Sequence, residues 1–161
     1  MTNTQTIPAA AVDPNVAAGT AQFLSPVVLG LQALAVNGKQ AHWHVRGANF
    51  IGVHELFDSV VEHAQEWADT AAERIVALGL PIDARVQTVA AKVGVTEVPA
   101  GFAPSDVVIR ALIADIDAVL VDVQAAVDEL DEIDQSSQDV AIEIKRGLDK
   151  DRWFLFAHVA A

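Results

Sequence analysis

Four of the five histidines and two of the three tryptophans fall between residues 41 and 75, among regularly spaced carboxylates. Histidine and carboxylate together form the ligand set that iron, zinc and manganese accept in proteins. His54 and Asp58 are four residues apart, as are Asp69 and Glu73. On a helix, all four would lie within one sector of about 100°. The spacing therefore predicts one helix face that could hold a transition metal.

One helix cannot bring both pairs to the same ion. His54 and Asp69 are separated by about 22 Å along a helix axis, at ~1.5 Å per residue, whereas metal–ligand bonds are about 2.0 to 2.2 Å long. Either each pair finds partners elsewhere in its own chain, or a second copy of the helix packs antiparallel across a twofold axis. His42, just before the turn into this helix, adds a fifth ligand. Spacing alone also allows a solvated helix surface that binds no metal.

Apolar residues recur at helical spacing along the chain, and no strand-like alternation persists. The pattern predicts four long helices, at about residues 15–45, 52–78, 105–130 and 136–160. A long connection between the second and third helices has room for one short helix at residues 86–93. Two helix pairs joined by one long crossover are typical of a ferritin-like four-helix bundle. We therefore predict an all-α fold with one domain over residues 15–161, after a flexible tail of residues 1–14.

Capping and helix-breaking residues predict the boundaries of these helices. Gly79 ends the second helix, and Ser105 caps the third. Pro26 predicts either a kink in the first helix or a later start. Gly147 interrupts the last helix, where it could mark a kink. Pro14 is expected to hold the tail out of helical conformation.

The composition argues against several classes of protein. The formal net charge is −12, and the first Lys or Arg is Lys39, so the chain has no cationic N-terminal arm. Phosphate binding needs clustered positive charge, and we therefore expect little or no DNA binding. The absence of cysteine excludes disulfides and thiolate metal sites and fits a cytoplasmic location. No apolar run approaches the about 18 residues of a membrane span, and the N-terminus lacks a secretory signal pattern.

The stretch "HWHVRGANFIGVHELFD", followed by "D…AAERI", closely resembles Dps, the family of DNA-binding proteins from starved cells. The family pattern is a His–Trp pair, a His twelve residues on, an Asp four later, an Asp eleven later and a Glu four later. In this sequence, those positions are His42, His54, Asp58, Asp69 and Glu73. The resemblance spans about residues 15–160 and includes "LDKDRWFLFAHV" near the C-terminus.

The resemblance implies a hollow shell of twelve subunits, built from twofold dimers, with a ferroxidase centre at each dimer interface. His42, His54 and Asp58 would come from one chain, and Asp69 and Glu73 from the other. Such a centre binds two Fe(II) ions, one of them weakly, and oxidises them preferably with hydrogen peroxide. The ferric oxide is stored in the shell, and the removal of both reagents protects against oxidative stress.

Other acidic residues are candidates for roles in iron entry and storage. The resemblance implies acidic channels on threefold axes near the last helix, where Asp134, Asp139 and Glu143 could attract Fe(II). Glu62 and Glu66 on the second helix either face the cavity and nucleate mineral or belong to an ordinary salt-bridged surface.

The remaining aromatic residues and histidines are more easily explained by structure than by chemistry. We expect Trp43 and Trp67 to pack in the core, although an aromatic group near the metal could take up stray oxidising equivalents. His44 and His63 lie off the ligand pattern and are expected to be hydrogen-bonded surface or interface residues. His158 is expected to be structural.

Two other functions use the same residues differently. A metal with an open coordination position could activate water and hydrolyse amides or esters. Because the chain has no G-x-S-x-G elbow and no Cys nucleophile, such a hydrolase would depend on the metal. A shell with an empty site would be purely structural. Redox-dependent iron uptake would separate iron oxidation from both alternatives, whereas loss of amide cleavage on chelation would support the hydrolase.

Overall fold

The computed structural model describes residues 13–160, and most of these residues are helical. The helices are α1 (Pro14–His44), α2 (Phe50–Ala77), α3 (Val86–Lys92), α4 (Ser105–Leu130) and α5 (Gln135–Ala157). The four long helices form a bundle in which α1 packs on α2 and α4, and α5 packs on α4 and α2. The short α3 lies in the crossover between α2 and α4. The predicted all-α, ferritin-like bundle with a helix in its crossover is confirmed.

A short parallel pairing ties the crossover to the turn between α1 and α2. Its strands are β1 (Val45–Arg46) and β2 (Ala103–Pro104). Next to this pairing, the guanidinium of Arg46 lies 3.4 Å from the ring centroid of Phe102. The α1–α2 turn is therefore held at a fixed place against the end of the crossover.

Both Pro14 and Pro26 lie within α1, so the alternative of a helix start near Ser25 is wrong. Pro14 is the first residue of the helix, where no N–H is needed, and the side chain of Asp13 accepts a hydrogen bond from the N–H of Asn15. The expectation that Pro14 keeps the chain out of helix is therefore wrong. The helix also continues through Pro26, which is exposed, so the unpaired carbonyl one turn earlier can be hydrated. The rest of the predicted flexible tail, residues 1–12, lies outside the described residues.

The end of α2 is as predicted, and the start of α4 is not. Gly79 has a φ of +93°, and the N–H groups of Gly79 and Leu80 donate to carbonyls of the last turn. This is the glycine-terminated helix end that the sequence predicted. Ser105, in contrast, is the first helical residue of α4 rather than its cap. Pro104 occupies the N-cap position, and no side chain caps this end.

Gly147 makes room for Trp67 instead of breaking α5. The helix runs without interruption from Gln135 to Ala157. A Cβ atom placed on Gly147 would lie 2.0 Å from Cζ2 of Trp67, so the indole rests on the α5 backbone. The expectation that this glycine interrupts the helix is therefore wrong, whereas the expectation that Trp67 packs against the core is confirmed.

The buried face of α2 fixes the rotation of this helix in the bundle. Eight residues of α2 are buried in the core of the bundle. Burial of a large side chain such as Phe57 contributes roughly 1.5 to 3 kcal/mol to the free energy of folding. The eight residues are Val53, Phe57, Val60, Val61, Ala64, Ala68, Ala71 and Ile75. With this face turned inward, the sector that carries the histidine and carboxylate pairs faces away from the core.

By length and composition alone, α1 is apolar enough to cross a membrane, contrary to the sequence expectation. Half of the window that passes this test is buried inside the bundle. The core helix of a bundle passes the same test, so this feature is weak evidence for a membrane span.

The contact between Gly147 and Trp67 predicts opposite effects for two Gly→Ala changes. Gly147→Ala should lower the free energy of unfolding by about 1 to 3 kcal/mol, because the new methyl group overlaps the indole. Gly52→Ala, at a helical position with open space around it, should instead raise this free energy by about 0.5 to 1 kcal/mol. Chemical denaturation measures both. Similar effects of the two changes would contradict the close packing of the Trp67 indole on the backbone at Gly147.

Candidate metal centre

The α1–α2 turn brings His42 and His54 face to face. Their ring centroids are 3.6 Å apart, with an angle of 22° between the ring planes. Asn49, in the left-handed conformation, precedes the first turn of α2 and reverses the chain direction there. His42 is buried, and His54 is half-buried. Two residues twelve positions apart thus form one stacked pair at the end of the helical hairpin.

Each imidazole of this pair is hydrogen-bonded to the backbone of the other residue. Nδ1 of His42 lies 2.9 Å from the carbonyl oxygen of His54, and Nδ1 of His54 lies 2.9 Å from that of His42. A carbonyl oxygen can only accept, so both Nδ1 atoms carry the hydrogen. In the neutral rings, each Nε2 then keeps its lone pair, as a metal ligand requires. The backbone thereby orients both rings for coordination through Nε2.

Asp58 lies beside this pair and is held by a cation. Its Oδ1 atom accepts a hydrogen bond from the ammonium group of Lys39 and lies 3.3 Å from Nδ1 of His42. The nearer carbonyl takes the single Nδ1 hydrogen of His42, so Lys39 is the main partner of the carboxylate. The hydrogen bond from Lys39 holds the pKa of Asp58 below its usual range, although partial burial opposes this effect.

Asp69 and Glu73 lie further along α2 and are exposed. Among residues 13–160, no three or more His, Asp or Glu side chains stand where they could hold one metal ion within a single chain. His42, His54 and Asp58 do lie close together, but they do not form such a group by themselves, and Asp69 and Glu73 lie apart from them.

The exposed face of α2 is symmetric about its centre. His54 and Glu73 are equally far from a point between residues 63 and 64, and so are Asp58 and Asp69. Two exposed apolar residues on the same face, Ile51 and Val76, share this midpoint; their exposed fractions are 61% and 56%. If a second copy of α2 packed antiparallel about this point, its candidate ligands would lie opposite those of the first copy. Its exposed apolar side chains would likewise lie opposite apolar side chains.

The three candidate pore residues differ in their environments. The carboxylate of Asp134 caps α5 by accepting from the N–H of Ser137, and it forms an ion pair with Arg74 at 2.6 Å. Asp139 and Glu143 are exposed on α5. Only these two therefore present carboxylates that the fold does not already use for a cap and an ion pair.

Glu62 and Glu66, the candidate nucleation residues, are both exposed on α2. The structure does not bring either of them to the two histidines or to Asp58. Their surroundings in the single chain are those of an ordinary helix surface.

Trp43 is not a core residue of the single chain. It is 62% exposed, although its neighbour His42 is buried. Trp43 projects from the side of α1 that faces away from the bundle. The expectation that Trp43 packs in the core is therefore wrong for the isolated chain.

The remaining histidines are hydrogen-bonded or exposed. Nδ1 of His44 bonds the carbonyl oxygen of Gln40, and His158 is an exposed residue at the C-terminal end of α5. Nδ1 of His63 lies 2.9 Å from Asp151, which is only 2% exposed. The expectation that His44 and His63 are hydrogen-bonded is confirmed.

Asp151 and Lys39 are the residues of interest that the sequence interpretation missed. Burial raises the pKa of Asp151, and the hydrogen bond from His63 opposes this shift. Asp151 follows the buried Ile144 and Leu148 at helical core spacing, which was a readable signal of its burial. Lys39 precedes His42 by three residues and therefore shares its helix face.

Comparisons with known proteins show the family to which this fold belongs. A family model described as a ferritin-like domain matches residues 28–161. The chain is 36% identical over 127 residues to the DNA protection during starvation protein of Agrobacterium fabrum, over 78% of each chain. The structure of Dps from Microbacterium arborescens in the high iron form is 70% identical, with a TM-score of 0.91 over 93% of this chain and 98% of that one. Mycobacterium smegmatis Dps is 29% identical, with a TM-score of 0.87 over 96% and 87% of the two chains.

The reciprocal hydrogen bonds predict the tautomers of the histidine pair. In ¹⁵N-histidine-labelled protein, at a pH at which the rings are neutral, His42 and His54 should both carry their hydrogen on Nδ1. Two-bond nitrogen–proton correlations report this directly, and His42→Gln and His54→Gln variants assign the signals. The exposed His158 provides an internal reference. Protonation of either ring on Nε2 would contradict the observed hydrogen-bond pattern.

Proposed function

Because this chain belongs to the ferritin-like family, and within it to the Dps mini-ferritins, we propose that it oxidises Fe(II) at centres shared by two chains. Each centre takes two Fe(II) ions, one of them weakly, and uses hydrogen peroxide as the preferred oxidant. The product is stored as ferric oxide inside a hollow shell of twelve subunits. In the cytoplasm, this reaction protects against oxidative stress because it removes Fe(II) and peroxide together.

The observation that carries this proposal is the division of the ligand set along one symmetric helix face. His54 and Asp58 lie near the start of α2, and Asp69 and Glu73 lie near its end. With α2 antiparallel to its copy, His54 of one chain faces Glu73 of the other, and Asp58 faces Asp69. His42 joins the set through its stacking on His54. Two equivalent centres then form at every twofold contact.

Exposed apolar residues support the same contact. Ile51 and Val76 lie on the ligand-bearing face at equal distances from its centre, and both are more than half exposed in the single chain. Pairing Ile51 with the partner's Val76 removes both from water at both ends of the interface. Burial of apolar surface contributes roughly 25 cal/mol per Å². These contacts would add to the stability of the antiparallel arrangement, which the division of the ligand set along α2 requires.

The residues of the centre are suited to holding iron as its charge rises. The Nε2 atoms of His42 and His54 are neutral donors, and the carboxylates of Asp58, Asp69 and Glu73 stabilise Fe(III) more than Fe(II). Two Fe(II) ions supply one electron each to one hydrogen peroxide molecule. Its O–O bond breaks, and two protons complete two water molecules. Because both electrons are taken together, no hydroxyl radical is released.

Iron is the metal that the relatives support. The Microbacterium arborescens Dps, which is 70% identical to this chain, was solved in a high iron form. We propose that the exposed Asp139 and Glu143, at the threefold positions implied by the family resemblance, attract Fe(II) toward the cavity. Asp134 contributes less to such a channel, since its carboxylate is bound to Arg74. Glu62 and Glu66 are proposed to nucleate the mineral.

A subunit-complementation experiment tests the shared centre. One variant carries His54→Ala and Asp58→Ala, and the other carries Asp69→Ala and Glu73→Ala. Each alone should lose peroxide-driven Fe(II) oxidation, measured by ferric absorbance after anaerobic loading. Co-refolded in equal amounts, they should regain about a quarter of wild-type activity, since about half of the dimers are mixed and each has one intact centre.

Size-exclusion chromatography and native mass spectrometry provide the assembly control for this experiment. They establish that the variants fold, and that mixed dimers form in the refolded sample. If mixed dimers form and no activity returns, the two halves of the ligand set do not complete one another between chains. If either variant alone retains the wild-type rate, the residues changed in that variant are not needed for iron oxidation.

DNA binding is not expected from this chain. Five of its ten Lys and Arg residues form ion pairs with carboxylates of the same chain, and the net charge of −12 repels phosphate. A gel shift with linear duplex DNA at physiological salt, without added divalent cation, should show no retarded complex. The same protein with a Lys-rich N-terminal extension is the positive control. A retarded complex with the natural chain would contradict this prediction.

A further inference from the structure

Lys39 forms an ion pair with Asp58 beside the paired histidines, and none of the roles described above accounts for it. It lies on α1, three residues before His42, and its ammonium group donates to Oδ1 of Asp58. This is also the carboxylate oxygen that faces His42, at 3.3 Å from Nδ1. The side chains of Lys39 and Asp58 are 40% and 39% exposed. The ion pair therefore lies at the open edge of the half-site contributed by one chain.

We propose that the ammonium group of Lys39 occupies the iron centre as a cation before metal binds. An incoming Fe(II) ion must displace Lys39 from Asp58, and Lys39 thereby lowers the affinity of the centre for Fe(II). This inference rests on the proposed function, because it assigns Asp58 as a ligand. It adds a residue that is not itself a ligand but determines how readily the ligands take up metal.

Competition for the carboxylate is the first step of the argument. A metal ion bound through Asp58 needs a lone pair of this carboxylate and brings positive charge close to it. The ammonium group of Lys39 already uses the oxygen nearest to the histidine pair. Two cations at such short separation repel each other, most strongly where water is excluded. The metal and Lys39 therefore cannot both keep their preferred positions at Asp58.

The properties of lysine allow this displacement. Its ammonium group is a point charge on a flexible four-carbon stem, and in this structure the side chain is partly exposed. The flexible stem lets Lys39 move away from Asp58 when a metal arrives, and an ion pair that is half-exposed in the single chain is broken at a modest cost. The expected effect of Lys39 is consequently a change in affinity and not a complete block.

The charge of the completed centre shows where Lys39 acts most. Asp58 and the partner's Asp69 and Glu73 together carry three negative charges. One Fe(II) ion and the Lys39 ammonium neutralise them. A second Fe(II) ion would leave the centre with an excess of positive charge for as long as Lys39 stays in place. Lys39 therefore opposes the second ion more than the first, which gives a physical reason for one weak iron position.

The test is the affinity of a Lys39→Met variant for cobalt, a divalent ion that does not oxidise under anaerobic conditions. Met retains the length of the side chain and removes its charge. The visible absorption bands of bound Co(II) report both binding and coordination. Lys39→Met should bind Co(II) about fivefold or more tightly than wild type, as the loss of a half-exposed ion pair allows. The gain should be larger for the second Co(II) equivalent.

Two further variants separate competition from a structural effect. Lys145→Met removes a lysine that pairs with Asp149 at comparable exposure, away from the centre, and should leave Co(II) affinity unchanged. Lys39→Arg keeps the positive charge and should bind Co(II) no more tightly than wild type. If Lys39 instead positions Asp58 for the metal, Lys39→Met should bind Co(II) more weakly.

The outcomes distinguish this inference from the proposed function. Unchanged or weaker Co(II) binding by Lys39→Met, with normal binding by wild type and Lys145→Met, would overturn the role of Lys39 and leave the centre intact. If no assembled variant, including wild type, binds Co(II), the shared metal centre itself fails and this inference fails with it. Circular dichroism and size-exclusion chromatography confirm that each variant is folded and assembled.

Discussion

The exchange of hydrogen bonds between His42 and His54 joins the last turn of α1 to the first turn of α2. Each imidazole satisfies a backbone carbonyl of the other residue, at 2.9 Å in both directions. One interaction therefore closes the helical hairpin and selects the ring nitrogen that remains available for metal. The fold and the chemistry share these two side chains, so neither can be replaced without affecting the other.

A second constraint comes from the length of α2. A helix of 28 residues is too long for ligands at its two ends to meet at one ion, and too regular to bend between them. The buried face that carries Phe57 fixes its rotation, and a neighbouring sector of the helix carries both halves of the proposed ligand set. If two chains pair as proposed, each provides the ligands that the other lacks, and the chemistry then requires assembly.

Much of this could be predicted from the sequence, because helical spacing of apolar residues reports burial directly. The bundle, the crossover helix and the glycine end of α2 followed from such local signals. The features that the sequence interpretation missed or misjudged away from the helix ends arise from contacts between distant residues. Gly147 is adapted to the indole of Trp67, Asp151 is buried against His63, and Lys39 pairs with Asp58. The spacing of residues within one helix does not specify which residue of another helix a given side chain will contact.

The electrostatics of the shared centre link these features. In the proposed shared centre, carboxylates from two chains would have to approach one another before any metal arrives, and like charges would oppose that approach. The apolar residues at the two ends of the face, Ile51 and Val76, would supply attraction that does not depend on metal. Lys39 offsets part of the charge on Asp58. A centre prepared in this way would be able to assemble empty and still take up a divalent ion, because Lys39 and Asp58 form only one ion pair, which is half-exposed in the single chain.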